Sequence, residues 1–518
     1  MAEFLSPGHY KSESPPQVMT LAGASVSTGA IVGVFEKGPI GVPRLVTSLT
    51  EFQKVYGGYI PQSYAPYAVE GAFRNKPGMR LYVVRTAHYT SPTDPTTCTA
   101  KKAAITLKDR STVTPVDTLK VEAVNEGTWG NKIAIEIANA TKDTTTKFRL
   151  VVKYDGVIKE VFDELSMDDL SADFVESRIN GKSEYIRVTD MDTTTAAPED
   201  RPAAGTSTLT GGDDGLTTIG DSDYLGSSAT GIGLHALDNV EDALLIAVPG
   251  IATAAVHNGV LEYCASRMDC FGLLDPPMAA SYQDVKEYVE TTAQLNSEYG
   301  AIYWPNVGIS DPVTGLYKII PPSGHAMGAY ARVDAAPGKG PWKVAAGIED
   351  GQLYGVLGVE DNAVNNKAVR DVLYPARINP IRAMSRYGRM LYGARTLSGT
   401  GKMTYINERR TFIYVEKTVD DGTQWVEFEN NEPGLWARLT RTISAFLLRV
   451  WRAGGLRGAT PEEAFAVKID AETNPEPGPI LYGKIGLATH TPTEFVWFDY
   501  MKHTLEAAAP APEAAPPA

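Results

Sequence analysis

Histidines, cysteines and serine-bearing turns are the residues from which this chain could build a catalytic or metal site. The seven histidines stand at positions 9, 88, 235, 257, 325, 490 and 503, and none is paired at metal-ligand spacing. Gly205-Thr206-Ser207 resembles a serine-nucleophile segment, but it lies in a polar stretch with no His-Gly-Thr or Asp-Thr-Gly partner. A triad needs a base and an orienting carboxylate converging on the serine. Gly231-Ile232-Gly233 opens like a dinucleotide fingerprint, yet it lacks the third glycine and a clear preceding strand, so it reads as a turn before a helix. There is no GxSxG elbow, Walker A loop or HExxH pair. His325, in Pro321-Pro322-Ser323-Gly324-His325, reads as a loop residue held by a hydrogen bond. Cys264 and Cys270 read as packed inside their helix and strand. The expectation is no catalytic residue, no cofactor and no metal.

The elements that would have to carry any site come next. The chain has 518 residues and a net charge of −14, so it holds several domains and does not suit direct nucleic-acid binding. Three cysteines without CxxC spacing disfavour a disulfide framework and fit synthesis in a reducing compartment. The longest apolar stretch, Ala243 to Val256, is 14 residues and is broken by Pro249-Gly250. Roughly 20 residues are needed to span a bilayer, so membrane insertion is not expected. The first residues lack the basic and then apolar run of a signal peptide.

Residues 1–22 are rich in Ser, Pro and Gly and read as an extended arm, with Val18, Met19 and Leu21 as its strand formers. An α/β pattern occupies 23–90, with strands at Ala30–Phe35 and Arg80–Arg85 and a helix carrying Tyr67, Val69, Ala72 and Phe73. Residues 91–230 are Thr- and Asp-rich, with 15 basic against 24 acidic residues, a net of −9. Alternating strands mark this span as a β-rich insert facing solvent. The α/β rhythm resumes over 231–370: strands at Ala243–Pro249, Cys270–Leu274 and Ala301–Trp304 alternate with helices at Thr253–Arg267 and Tyr282–Glu298. That alternation predicts a parallel sheet with right-handed crossovers. Residues 371–492 read as a separate C-terminal unit, 493–506 as a final strand, and the Pro/Ala run 507–518 as a disordered tail.

Two features of the last part point to contact. On a helical wheel, Leu435, Leu439, Ile443, Phe446, Leu447, Val450 and Trp451 cover one face, while Arg438, Arg441, Arg449 and Arg452 fall within about 80° on the other. A solvated basic face is the plain reading. Because Pro433–Pro461 holds five arginines and no acid, the stripe also lacks a local ion-pair partner, which favours an acidic partner surface. The stretch Glu494–Met501 carries Phe495, Val496, Phe498 and Tyr500 on both faces. It is either a buried strand of its own domain or a strand added to another subunit.

Motifs spread along the chain resemble contractile tail sheath proteins of phages and phage-tail-like injection particles. They include Pro7-Gly8-His9-Tyr10, Ser27-Thr28-Gly29-Ala30, Gly127-Thr128-Trp129-Gly130-Asn131 and Tyr330-Ala331-Arg332. Others are Gly393-Ala394-Arg395-Thr396-Leu397, Trp425-Val426-Glu427-Phe428-Glu429-Asn430 and Thr493-Glu494-Phe495-Val496. The departures are His9 and the Pro/Ala tail. The resemblance implies a subtilisin-like parallel α/β sheet without a catalytic triad, an inserted β-rich outer domain, an α+β C-terminal domain and extended arms. It implies no enzyme but a structural subunit that forms stacked hexameric rings around an inner tube and contracts to drive that tube through a cell envelope. Val18, Met19 and Leu21 would form one inter-subunit strand, and Phe495, Val496, Phe498 and Tyr500 another. Arg438, Arg441, Arg449 and Arg452 would face the tube. The implied partners are further copies of the chain, the tube protein, and baseplate and tail terminator proteins. The implied place is the virion tail, assembled in the bacterial host cytoplasm. A hydrolase built on the α/β sheet, or another virion component, are the alternatives.

Overall fold

A computed structural model describes residues 21–494 apart from 92, 194, 402, 476 and 477. In chain order, β1 (Thr28–Gly33), β2 (Arg44–Val46) and β3 (Leu81–Arg85) precede the insert. The insert holds β4 (Ala104–Lys108), β5 (Asp117–Ala123), β6 (Ile133–Asn139), β7 (Phe148–Tyr154), β8 (Val157–Leu165), β9 (Ile186–Asp190) and β10 (Gly205–Thr208). Then follow β11 (Leu244–Ala247), β12 (Cys270–Leu274), β13 (Gly300–Trp304), β14 (Val307–Ser310), β15 (Tyr317–Ile320) and β16 (Gly358–Val359). The last strands are β17 (Ile378–Met384), β18 (Gly388–Leu391), β19 (Phe465–Lys468) and β20 (Lys484–Leu487).

Eight strands form the main sheet in the order β18-β17-β13-β12-β11-β1-β3-β2. The six from β17 to β3 are parallel, and β18 and β2 close the edges antiparallel. The central strands are apolar without alternation because helices cover both faces: every residue of β1, β11, β12 and β13 is buried. On one side the helices Ala65–Asn75 and Ser323–Asp334 cross closely. A side chain at Gly324 would sit 2.1 Å from the Ala68 carbonyl oxygen, and one at Gly328 would sit 2.4 Å from that of Ala72. Only glycine permits that approach.

Two expectations are corrected here. The sheet continues into β17 and β18, past residue 370, where the sequence placed the C-terminal unit; Pro380 in β17 disguised a central strand, because proline removes a ladder donor. The helix expected over Tyr282–Glu298 stops earlier. It runs as α-helix over Tyr282–Glu287, widens into a π-turn over Tyr288–Thr292, and ends before Gln294, whose backbone is left-handed.

The insert folds around its own core, with the sheets β10-β6-β7-β8 and β4-β5-β9 enclosing Trp129, Ile135, Phe148 and Leu150. A third apolar cluster lies at the C-terminal end, around the helices Ile406–Thr423 and Pro433–Arg452 and the hairpin β19–β20. Among the described residues no helix is long and apolar enough to cross a membrane.

Candidate interaction surfaces

The helix Pro433–Arg452 begins with proline in its first turn, where a missing N–H costs nothing. It buries Leu435, Trp436, Leu439, Ile443, Phe446, Leu447 and Val450, with Trp451 half-buried beside them. The helix Ile406–Thr423 joins this unit to the main sheet. Arg410, 2% exposed, donates 3.0 Å to Asp334 and 3.1 Å to the Val26 carbonyl. Arg409 reaches Glu298 at 3.1 Å.

On the outer face Arg438, Arg441, Arg449 and Arg452 are all exposed. Two are engaged within the chain. Arg438 lies 3.9 Å above the Trp425 ring and 3.8 Å from Glu429, so the expectation of no nearby acid fails for it: the loop before the helix folds back along its first turns. Arg449 donates to the Leu21 carbonyl. Arg441 and Arg452 have no side-chain partner among the described residues.

Both chain ends meet this unit. Leu21 is 3% exposed, packed in the C-terminal cluster against Gly422, and the Ala24 N–H donates 3.0 Å to Thr418 Oγ1. Leu21, expected in an inter-subunit strand, thus packs inside its own subunit, in the apolar space left beside Gly422; the other expected arm residues, Val18 and Met19, lie outside the described residues. At the other end the Asn407 amide donates 2.7 Å to the His490 carbonyl, and Thr491 Oγ1 donates 3.1 Å to Glu408. Glu494 accepts from Arg395 at 2.5 and 3.1 Å and from the Tyr374 hydroxyl at 2.6 Å. Burial alone would raise its pKa; these donors outweigh burial and hold it below the usual carboxylate range. Phe495, Val496, Phe498 and Tyr500 lie outside the described residues. Beside this exit is a cavity of about 740 Å³ lined by Trp342, Tyr374, Pro380, Tyr392, His490 and Glu494. Sequence reasoning missed the Arg395–Glu494 clamp. Both residues stood in singled-out motifs, but nothing in a linear pattern couples positions 99 apart.

The main sheet was the other place to look for chemistry. Chain order reverses around β1, where α/β folds commonly open a ligand crevice at the carboxyl ends of the strands. Here that end carries Arg85, 1% exposed, which donates 2.8 Å to the carbonyls of Gly38 and Glu126 and thereby roots the insert. At the end of β12, buried Asp275 accepts from Ser323 Oγ at 2.7 Å and from the Ser323 N–H at 2.8 Å. Burial raises the Asp275 pKa to about 6. His325 sits in the first turn of the helix Ser323–Asp334, not in a loop. It is 1% exposed, with neither ring nitrogen hydrogen-bonded, which corrects the expected loop hydrogen bond. Gly205-Thr206-Ser207 forms β10 at the edge of the insert. Cys264 and Cys270 are buried and unbridged.

No family model matches the chain. A tail sheath protein of Vibrio phage KVP40 is 27% identical over 203 residues, covering 39% of this chain and 28% of that protein. The tail sheath protein of Enterobacteria phage T4 is 24% identical over 194 residues, covering 34% and 29%. The matched segments thus span under a third of either phage protein. Solved structures extend the likeness. The sheath tail protein of Listeria innocua superposes with a TM-score of 0.61 at 12% identity, covering 91% of this chain and 96% of that one. The contracted helical sheath of the anti-feeding prophage gives 0.57 at 18%, covering 96% and 99%. The fold is that of tail sheath proteins. Over parts of its sequence and over nearly its whole fold, the chain is similar to tail sheath proteins.

Proposed function

We propose that the protein is the subunit of a contractile sheath, polymerising as stacked six-membered rings around an inner tube and contracting to drive that tube through a cell envelope. The observation that carries this reading is the unfinished state of the C-terminal unit. Among the described residues its sheet has two strands, β19 and β20, packed on the helix Pro433–Arg452 and each with one edge unpaired, and both chain ends run through the same unit. Strands around Val18 and Met19 from one neighbour, and Phe495, Val496, Phe498 and Tyr500 from another, complete that sheet, with Leu21 anchoring the first arm in its own subunit. Arg438, Arg441, Arg449 and Arg452 face the tube. The insert, residues 91–230, faces outward. The main sheet is of the subtilisin type without a triad, and the protein is not an enzyme; the serine–carboxylate pair at the end of β12, Ser323 and Asp275, is 1–2% exposed. Its place is a virion tail or injection particle, with baseplate and terminator proteins at its ends.

Deleting residues 1–20 is expected to leave a folded, soluble subunit that forms no stable tubes by electron microscopy. A truncated chain that polymerises as well as the full one overturns strand exchange.

A further inference from the structure

Phe428 is fully exposed, and its backbone is left-handed, with φ of 68°. A bulky residue adopts that conformation only where its surroundings impose it. Here the loop is tied down on both sides. The Glu427 N–H donates 3.2 Å to the Gln424 carbonyl, and the Glu429 N–H donates 3.1 Å to that of Val426. Asn431 donates to the carbonyls of Gly478 at 2.9 Å and Ile480 at 3.2 Å, while accepting from the Trp436 indole at 2.7 Å. The segment to which Asn431 ties the loop, 478–482, presents two further exposed apolar side chains, Ile480 and Tyr482. An aromatic ring held rigidly in water gains the fold nothing. The backbone that carries it is already ordered, so seating the ring in a partner's recess costs only the freedom of its own two side-chain torsions.

The position of this ring names its partner's chemistry. Trp425 and Glu429, flanking Phe428, are the two groups that contact Arg438, the first arginine of the exposed stripe. From Arg438 to Arg452 the stripe runs about 21 Å along the helix. Phe428 therefore lies just beyond the head of the basic stripe, with exposed Glu427, Glu429 and Glu432 around it, so one surface takes both only if it is acidic along the stripe and turns apolar at the ring. We infer that this face docks on an acidic protein surface that ends in an apolar recess for Phe428. On the proposed sheath reading, which this inference deepens, that surface belongs to the inner tube.

The test places the photo-crosslinking residue benzoyl-phenylalanine at position 428 of the full chain, assembles it around its tube protein, and maps the adducts by mass spectrometry. The expected adduct joins position 428 to a tube peptide flanked by Asp and Glu. Adducts only to another sheath subunit or to the same chain, or none although the tube is encased, overturn the inference and leave the sheath reading standing. Failure of the unmodified chain to encase the tube overturns both. As a second readout, Phe428→Ser is expected to weaken tube capture about tenfold at low salt and at ~0.5 M salt alike, whereas the loss from Arg441→Glu shrinks as salt screens it. A Phe428→Ser chain that captures tube like the unmodified one contradicts the anchor.

Discussion

The insert and the C-terminal unit are both small satellites of the main sheet, and they treat their surfaces in opposite ways. The insert is acidic, yet several of its charges are paired locally: Lys120 with Glu122, Lys147 and Arg178 with Asp173, and Lys153 with Glu136. Its apolar edge strand β8 exposes Val157, Ile158 and Val161, but it is bulged against β7 and carries Lys159, Glu160 and Asp163, which blunts edge pairing. The C-terminal unit leaves Arg441 and Arg452 unpartnered among the described residues, its sheet at two strands, and a phenylalanine in solvent. One region satisfies itself; on the proposed sheath reading, the other is finished by neighbouring molecules. In a polymer subunit, contact surface accumulates where local satisfaction is withheld.

Breaking the joint between the C-terminal unit and the sheet should cost most. Arg410→Ala leaves Asp334 buried without its charge partner, and a loss of about 3–5 kcal/mol in urea unfolding is expected. A loss below ~1 kcal/mol would mean that the unit docks without this pair. Trp129→Ala empties the insert's core and should cost ~3 kcal/mol, read as early unfolding of the insert by hydrogen exchange while the helix Pro433–Arg452 keeps its protection. Loss of protection in both regions together would dissolve the contrast between them.

A pH series sharpens the account of the sheet. Burial, helped by the positive charge of Arg74, holds the His325 pKa near 4, below its ordinary 6.5. As pH falls from 6.5 the unfolded chain takes up that proton first, so this group's share of stability is lost between pH 6.5 and 4. Asp275, with its pKa raised, binds its proton earlier in the fold and works in the opposite sense, equally in wild type and variant. His325→Leu should cost under ~1.5 kcal/mol at neutral pH and resist acid better by ~3 kcal/mol at the low end. Parallel pH curves for the two proteins would refute this. The smallest effect belongs to the stripe: Arg441→Glu with Arg452→Gln should change folding stability by under ~1 kcal/mol, most of it from losing the cation at the helix C-terminus, since neither arginine has a side-chain partner among the described residues. A larger loss would make them structural residues.

Much of the sheet was legible because burial on both faces writes continuous apolar runs: the expected strand Cys270–Leu274 matches β12 residue for residue, and the helix at 254–267 follows its spacing. The sheet's last central strand was hidden by Pro380, and the shortened second helix by a π-turn that no periodicity announces. The arginine stripe was readable from one helix alone. The Glu494 clamp, the Arg438–Glu429 contact and the rigid exposure of Phe428 were not, because each depends on where a distant or irregular segment folds back.

The central claim is that the C-terminal unit is completed by other copies of this chain. Negative-stain electron microscopy of the concentrated full-length protein tests it most directly. Hollow, striated cylinders with six-fold rings are predicted. Monodisperse monomers, persisting when the tube protein is added, would contradict it.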